Sequence, residues 1–435
     1  MVDVFDLVIV GAGPAGLEAA RSAFAPGRRI AVVDDNPRPG GQIWRHDPTQ
    51  DPPRAFRSLW DHLDSSGTRF LCSHRLVAFE SGPTLVLESP TGTRRIRGER
   101  LLFACGAREL FLPFPGWTLP GVYGAGGLQA LAKGGLPVAG RTVVLAGSGP
   151  LLLASAVTLL RHGARVEAII EQAPTGEVAR FLALLPRWPL QTLAALALIR
   201  RLIRVPYWRG VWVSGARGRD RLCEVEVTDG RTNRILPCEA LGTGYGLVPN
   251  IEAPNLLGCK LTGSLHPAVA VDSQGETSLP GIYAAGEVTG IGGVGRARLQ
   301  GALAGVAAMG ETQRIHGLLG RARHANAYVG HLAQHFRLRE PVRRLAGPAT
   351  VVCRCEDAAL GPAHGTSPVD PRALRLLTRI GMGHCQGRIC LHALAETRPE
   401  PFLREWLARP RPPLFPTRLE TLAGLGDGTN PVPPT

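Results

Sequence analysis

Lysine is almost absent from this sequence. The chain has 435 residues and 49 basic side chains, of which only Lys133 and Lys260 are lysines. Its formal net charge of +14 is therefore nearly all arginine. So basic a balance admits nucleic acid, an anionic membrane surface or acidic proteins as partners. Arginine spread along the whole chain reads as coding preference rather than a phosphate-binding patch. No basic run is interleaved with aromatics, so nucleic acid is set aside. No stretch of about 18 apolar residues exists, so no membrane span is expected. The first residues, MVDVFDLVIVGAGPAG, have no basic segment and carry Asp3 and Asp6, so a signal peptide is not expected and a reducing, cytoplasmic setting is. Cys-x-x-Cys and the nucleophile elbow are both missing. No side chain stands out as a general base, and His46 reads as a surface histidine.

Glycine, by contrast, is abundant, with 54 residues. Hydrophobic residues at 44% and charged residues at 19% exclude a mainly disordered chain. Residues 6–10 (DLVIV) read as a buried parallel strand, 14–25 as a helix and 30–34 (IAVVD) as the next strand, which makes a βαβ opening. The pattern recurs at 141–146, through a helix to His162, and at 165–170. Residues 191–204 read as an amphipathic helix within an apolar, basic stretch at 179–209. That stretch has two readings: packing on its own domain or a partner subunit, or resting on an anionic membrane. A turn and strand at 279–286 precede a small-residue helix near 296–309. The tail from Pro410 reads as an extended segment laid on another surface.

The first chemical signal is Gly11-x-Gly13-x-x-Gly16, with Pro14 and Ala15 inside it. Gly11 permits the tight turn, Gly13 lets backbone approach a pyrophosphate, and Gly16 allows close helix–strand packing. Asp34, followed by Asp35, ends the next strand, where a carboxylate can accept a ribose hydroxyl. Far along the chain stands PGIYAAGE, with Gly286 and Glu287. The pairing of GAGPAG with PGIYAAGE resembles the flavoproteins with two dinucleotide-binding domains, the glutathione- and thioredoxin-reductase-like group. That resemblance implies FAD, with Glu287 at the position that holds the ribityl chain, where the wider group has aspartate. It also implies cofactor contacts from Cys105, Gly106 and Ala107, where the group has an Ala-Thr-Gly strand. Cys105 itself reads as a small buried thiol.

Residues 37–45 (PRPGGQIWR), 243–250 (TGYGLVPN), 351–355 (VVCRC) and 381–390 (GMGHCQGRIC) occur together. The set resembles the flavin subunits of heteromeric amino-acid and amine dehydrogenases. That group includes the flavin subunits of opine oxidase, of (hydroxy)proline dehydrogenase and of hydrogen cyanide synthase. Gly40, Gly41 and Gln42 would then contact FAD. The resemblance implies a second flavoprotein as the partner subunit, and it allows a small third one.

Cys353-x-Cys355, 29 residues, then Cys385-x4-Cys390 gives four thiolates in two close pairs. Four cysteines suit an iron–sulfur cluster or structural zinc. Zinc ribbons use a two-residue gap within each pair, and here the gaps are one and four. Resemblance to a bacterioferritin-associated-ferredoxin-like module implies [2Fe-2S]. His384 reads either as a hydrogen-bond donor near the cluster or as a plain loop histidine. The second turn, Gly147-x-Gly149-x-x-Leu152, has a branched side chain where a third glycine or alanine belongs. Leu152 is expected to push the helix off the strand, so NAD(P) use there stays open, and Glu171 would favour NAD over NADP.

The expected fold is α/β: two Rossmann-like domains of the glutathione-reductase type plus a small cysteine-rich domain. A discontinuous FAD domain would span 1–117 and 265–330, an NAD(P)-binding-like domain 118–264, the [2Fe-2S] domain 335–405 and the proline-rich tail 406–435. The expected function is flavin-centred electron transfer within a heteromeric dehydrogenase. Two other readings stay open: a stand-alone NAD(P)H:acceptor oxidoreductase, and a redox-inert assembly subunit holding zinc.

Overall fold

The computed structural model of the chain describes residues 2–47, 51–80, 83–263, 265–361, 371–397 and 410–425. It divides into two compact units. One comprises 1–108, 248–329 and 405–435, the other 109–247 and 330–404.

In the first unit, the β-branched run Asp3–Val10 forms β1, α1 is Pro14–Ala23, and β2 is Ile30–Val33. Pro14 suits the first helical turn, where its missing N–H costs nothing. Helix α2 (Arg54–Asp64) leads to β3 (Arg69–Leu71), and β4 (Arg75–Glu80), β5 (Thr84–Ser89) and β6 (Gly92–Phe103) follow. The sheet order is β3-β2-β1-β6-β5-β4. Strands β1, β2, β3 and β6 run parallel, and β6, β5 and β4 form an antiparallel meander. The later strand Ile282–Ala284 joins β6 in parallel. Both faces of the sheet are buried, so β1 from Leu7 to Val10 and the whole of β2 are apolar rather than alternating. On one face α1 lies directly on the later helix Gly293–Ala308. A Cβ at Gly301 would come within 2.1 Å of Ala15 O, and one at Gly305 within 2.4 Å of Ala19 O. Small residues are needed there because the two backbones touch. A short strand, β7 (Ala107–Glu109), follows β6.

The second unit repeats the pattern. Its elements are β8 (Val122–Gly124), α3 (Ala125–Lys133), β9 (Thr142–Gly147), α4 (Pro150–Arg161), β10 (Arg165–Glu171), α5 (Thr175–Leu184), α6 (Pro189–Arg201) and β11 (Tyr207–Arg209). An antiparallel trio follows, β12 (Trp212–Arg217), β13 (Glu224–Thr228) and β14 (Asn233–Pro237), and then β15 (Ala240–Gly244). The parallel sheet runs β11-β10-β9-β15-β8.

The unit boundaries, 108/109 and 247/248, differ from those drawn on motifs at 117/118 and 264/265. Phe114 and Trp117 are buried with Val122, Val144 and Leu241 in the second unit. Ile251, Leu256 and Cys259 are buried with Ile96, Phe103 and Ile282 in the first. Residues 330–404 group with the second unit. Trp117 Nε1, for example, donates to Val351 O at 2.6 Å. Parts of that segment and of the tail (362–370, 398–409 and 426–435) lie outside the described residues.

The described tail lies on the first unit's own meander. Leu414 N donates to Val77 O at 2.8 Å, and the Leu414 side chain is buried beside Phe79 and Leu87. Leu414→Ala is expected to destabilise the chain by about 2–4 kcal/mol, read from denaturant midpoints at unchanged slope.

Candidate functional site

The first glycine turn is built by backbone. Gly11 adopts φ +112, and a Cβ there would come within 2.3 Å of Ala104 O. Gly16 sits so close beneath the turn that a Cβ would come within 1.8 Å of Gly11 O. Gly13 faces open space, with nothing within 4 Å of where its Cβ would be. Helix α1 begins there without a side-chain cap. First-turn N–H groups and the helix dipole therefore converge on an open, side-chain-free surface, the form an anion-binding turn takes.

Other segments close around it. Gly40 N donates to Ala12 O at 2.8 Å, and a Cβ at Gly41 would come within 2.9 Å of Gly13 Cα. Gln42 is exposed beside them. Asp34 is buried, and its carboxylate accepts from Ala12 N at 2.6 Å and from Asn36 N at 2.8 Å. Burial, the largest influence, raises its pKa against those donors. Asp35 is exposed. Asp34 ties the turn together, and Asp35 is the exposed member of the pair. Glu287 accepts from Gly293 N at 2.7 Å and, at 3.3 Å, from Gly292 N. Burial raises its pKa too. Its Oε2 makes only the long contact and keeps acceptor capacity for a hydroxyl. Gly286 is held by Gln300 Oε1 at 3.0 Å, and its absent Cβ would come within 2.8 Å of Ala15 Cβ. Gly106 (φ +71) also faces open space. The Cys105 sulfur points back toward Val10 O at 3.8 Å, and burial pushes its pKa strongly upward, so it stays an unreactive thiol. These residues fit FAD.

Several members of this site carried no readable sequence signal. Arg108 donates to Asn250 Oδ1 at 2.8 Å and pairs with Glu252 at 2.8 Å, while Asn250 Nδ2 donates to Cys105 O at 2.9 Å. This clamp fixes residues 105–108. Of it, only the TGYGLVPN motif, which ends in Asn250, was visible in the sequence. Glu18, buried in α1, pairs with Arg298, whose guanidinium stacks over Trp44 at 5.7 Å. Apart from that site, within the second unit, Glu109 accepts from Gly126 N and Gly127 N, both at 2.8 Å, at the start of α3.

The second turn keeps its helix. Leu152 is fully buried, packed in the core of this unit with Leu145, Ala156 and Leu128. The helix α4 begins directly after the turn, at Pro150. What closes this turn lies elsewhere. Ser148 Oγ donates to Phe336 O at 3.3 Å, and Gln172 Nε2 donates to Arg337 O at 2.9 Å. A side chain at Gly149 would meet the Phe336 ring at 3.7 Å. Glu171 is buried and already accepts from Gly149 N (2.7 Å), Ala173 N (2.8 Å) and Ser148 Oγ (3.0 Å). The carboxylate that would read a ribose is used up.

Burial raises the Glu171 pKa to about 7 despite those donors. The folded state therefore holds a proton there that the unfolded chain releases near its ordinary value of 4.5. Its contribution to stability is full below that value and declines as pH rises toward 7. The destabilisation caused by Glu171→Gln is expected to be smaller at pH 8 than at pH 4.5 by about 3 kcal/mol, read from paired denaturation midpoints.

The four cysteines of the last region meet across the sequence pairs. Cys353 is in hydrogen-bond contact with Cys390, and Cys355 with Cys385. The contact with Cys390 pulls the Cys353 thiol down to about 5. N–H groups of Gly381, Cys355 and Glu356 also reach the Cys353 sulfur, as the neighbouring glycines allow. A Cβ at Gly383 would overlap Cys355 Cβ at 2.2 Å. His384 Nε2 lies 3.8 Å from the Cys355 sulfur. Among the described residues, no three His, Cys, Asp or Glu side chains gather to hold a single metal ion. Two touching pairs of soft donors fit a binuclear cluster, in which each iron takes two thiolates.

A parallel βαβ unit that opens on a bare glycine turn, followed by a second of the same build, defines an FAD-dependent oxidoreductase with two dinucleotide-binding folds. Residues 5–309 match the pyridine nucleotide-disulphide oxidoreductase family, and the chain belongs to it. It is 31% identical to the A subunit of opine oxidase from Agrobacterium tumefaciens (strain Ach5), over 97% of this chain and 92% of that protein. It is 30% identical to the HcnB subunit of hydrogen cyanide synthase from Pseudomonas protegens, over 94% and 95%. In fold it is similar to L-proline dehydrogenase from P. horikoshii, with a TM-score of 0.69 at 18% identity, covering 97% of this chain and 80% of that one. Among the described residues no helix is long and apolar enough to cross a membrane.

Proposed function

We propose that this chain is the electron-transfer subunit, carrying FAD and a [2Fe-2S] cluster, of a heteromeric dehydrogenase that oxidises an amino acid or secondary amine. The observation that carries the reading is the arrangement of Cys353, Cys355, Cys385 and Cys390 as two touching pairs in a chain that also has an open flavin-type turn. The names of its relatives, which are subunits of an opine oxidase and of a hydrogen cyanide synthase, support the substrate class and the need for a second subunit. When bound, FAD supplies two-electron chemistry and the cluster passes electrons one at a time. The chain's own residues bind and orient. Gly13 and the start of α1 take the pyrophosphate, Asp34 with Asp35 beside it a ribose, and Gly40, Gly41 and Gln42 the flavin side. Pro14, Ala15, Gly106, Ala107 and Gly286 line the approach, and Glu287 accepts from the ribityl chain. Four thiolates hold the iron, with Gly381 N–H aimed at sulfur. No acid–base residue is assigned. The setting we propose is cytoplasmic.

The second reading is a stand-alone NAD(P)H oxidoreductase. It needs the second turn, which Phe336 and Ser148 close and whose Glu171 is already spoken for. The deciding experiment is an anaerobic absorbance spectrum of the purified chain, with iron and zinc analysis, before and after NADH. Flavin and iron–sulfur absorbance unchanged by NADH is the expected result. Bleaching within seconds would favour the second reading. Zinc without iron would remove the relay and leave a protein whose cysteine region serves assembly.

A further inference from the structure

Helix α6 is apolar on every side. PLQTLAALALIRR has the pattern of a helix buried all round, yet none of its residues is fully buried. Its inner face leans on its own unit through Leu198, and Leu202 just beyond is buried in the same core. Its outer face is bare. Leu190 is 78% exposed, Leu193 64%, Leu196 57% and Ile199 44%, and Ile203 in the following turn is 82% exposed. Five large aliphatic side chains within 14 residues face water, which soluble surfaces rarely tolerate without a use.

The charge along this segment has one sign. From Val178 to Arg219 there is no Asp or Glu. Arg187, Arg200, Arg201 and Arg204 flank the exposed aliphatics, and all four are exposed themselves. None of them has an ion-pair or hydrogen-bond partner among the described residues. Elsewhere arginines sit against carboxylates, as Arg28 does on Glu311 and Arg298 on Glu18.

We infer that the outer face of α6 and its following turn, residues 187–204, docks the protein onto an anionic lipid surface. The aliphatic side chains would enter the headgroup–acyl boundary, and the arginines would extend outward to lipid phosphates. The charge pattern favours a bilayer over a protein partner. The core of a protein interface is depleted in charge, whereas this face interleaves like-charged, unpaired arginines with leucines. An anionic surface answers all four arginines at once and asks for no matched acidic residues. The inference goes beyond the proposed electron-transfer role and does not rest on it, since the docking face holds neither thiol nor glycine turn.

The test is flotation of the full chain, as purified with its flavin, with vesicles of phosphatidylcholine alone or with about one third phosphatidylglycerol. The wild type is expected to float with the anionic vesicles and not the neutral ones, and to be released when salt rises from about 0.1 M to 0.5 M. Each of Arg187→Gln, Arg200→Gln, Arg201→Gln and Arg204→Gln is expected to weaken partition about fivefold. Leu193→Ser with Leu196→Ser is expected to weaken it at least about tenfold, with flavin absorbance and thermal midpoint unchanged. Failure of the wild type to float with anionic vesicles overturns the inference. So does flotation that neither variant set alters. Light scattering supplies the third outcome: if the wild type self-associates and the leucine variant is monomeric without any vesicle binding, the face is an interface between copies and the lipid assignment falls.

Discussion

Gly13→Val is expected to give a folded protein that purifies nearly colourless, whereas Gly16→Val is expected not to fold stably. The two glycines lie three positions apart in one motif, and the environment of each separates their roles. At Gly16 any side chain meets the turn itself, 1.8 Å from Gly11 O, and that contact is backbone and cannot move aside. The expected destabilisation is at least about 4 kcal/mol, at the severe end for a single substitution. At Gly13 the backbone is extended (φ −77, ψ −176) and the space above is empty. A valine there fits the protein and fills the place of the pyrophosphate. Stability of the flavin-free chain should change by about 1 kcal/mol or less, while FAD affinity falls by about two orders of magnitude. Flavin titration of each variant, with a denaturation curve beside it, checks both. If Gly13→Val retains flavin at wild-type affinity, the turn is not the cofactor's seat.

Cys385→Ser is expected to lower the iron content of the purified protein more than about tenfold and leave flavin occupancy intact. The Cys385 thiol meets Cys355, and its loss leaves one pair with a single soft donor. Reduction of a one-electron acceptor should then slow by at least about a hundredfold, with two-electron reduction of the flavin unchanged. Serine is close in size to cysteine, so packing around Gly383 and Gly387 is preserved and the loss is one of ligation. A zinc site would respond differently: the variant would lose zinc and stability together, and no absorbance above the flavin bands would be lost. Iron at wild-type levels in Cys385→Ser would remove this residue from the ligand set.

Much of the first unit could be read from short stretches. Strand, glycine turn, helix and strand follow one another within 34 residues, and the spacing of Gly11, Gly13 and Gly16 states a local backbone demand that only glycine meets. Asp34 and Asp35 were legible as a pair. Which of them faces outward was not, because that depends on Ala12 N turning back to donate to one of them. The four cysteines were legible as a set. Their pairing was not: sequence neighbours suggest Cys353 with Cys355 and Cys385 with Cys390, and the fold crosses them. The apolar stretch at 179–209 announced a helix, which runs Pro189–Arg201 rather than 191–204, with proline at its first position. An amphipathic pattern promised a polar outer face, but the leucines occupy both sides.

By itself, then, the sequence determined the βαβ openings, the bare first turn and the residue types we propose for flavin and cluster. Each of these is set by backbone geometry or ligand chemistry acting over a few positions. Tertiary structure alone decided that Phe336, far along the chain from Gly149, closes the second turn. It alone decided that Arg108 is locked by Asn250 and Glu252, and that α6 keeps an open face. Those outcomes depend on contacts between residues distant in the chain, whose free energy comes from packing and desolvation and leaves no mark in any local pattern.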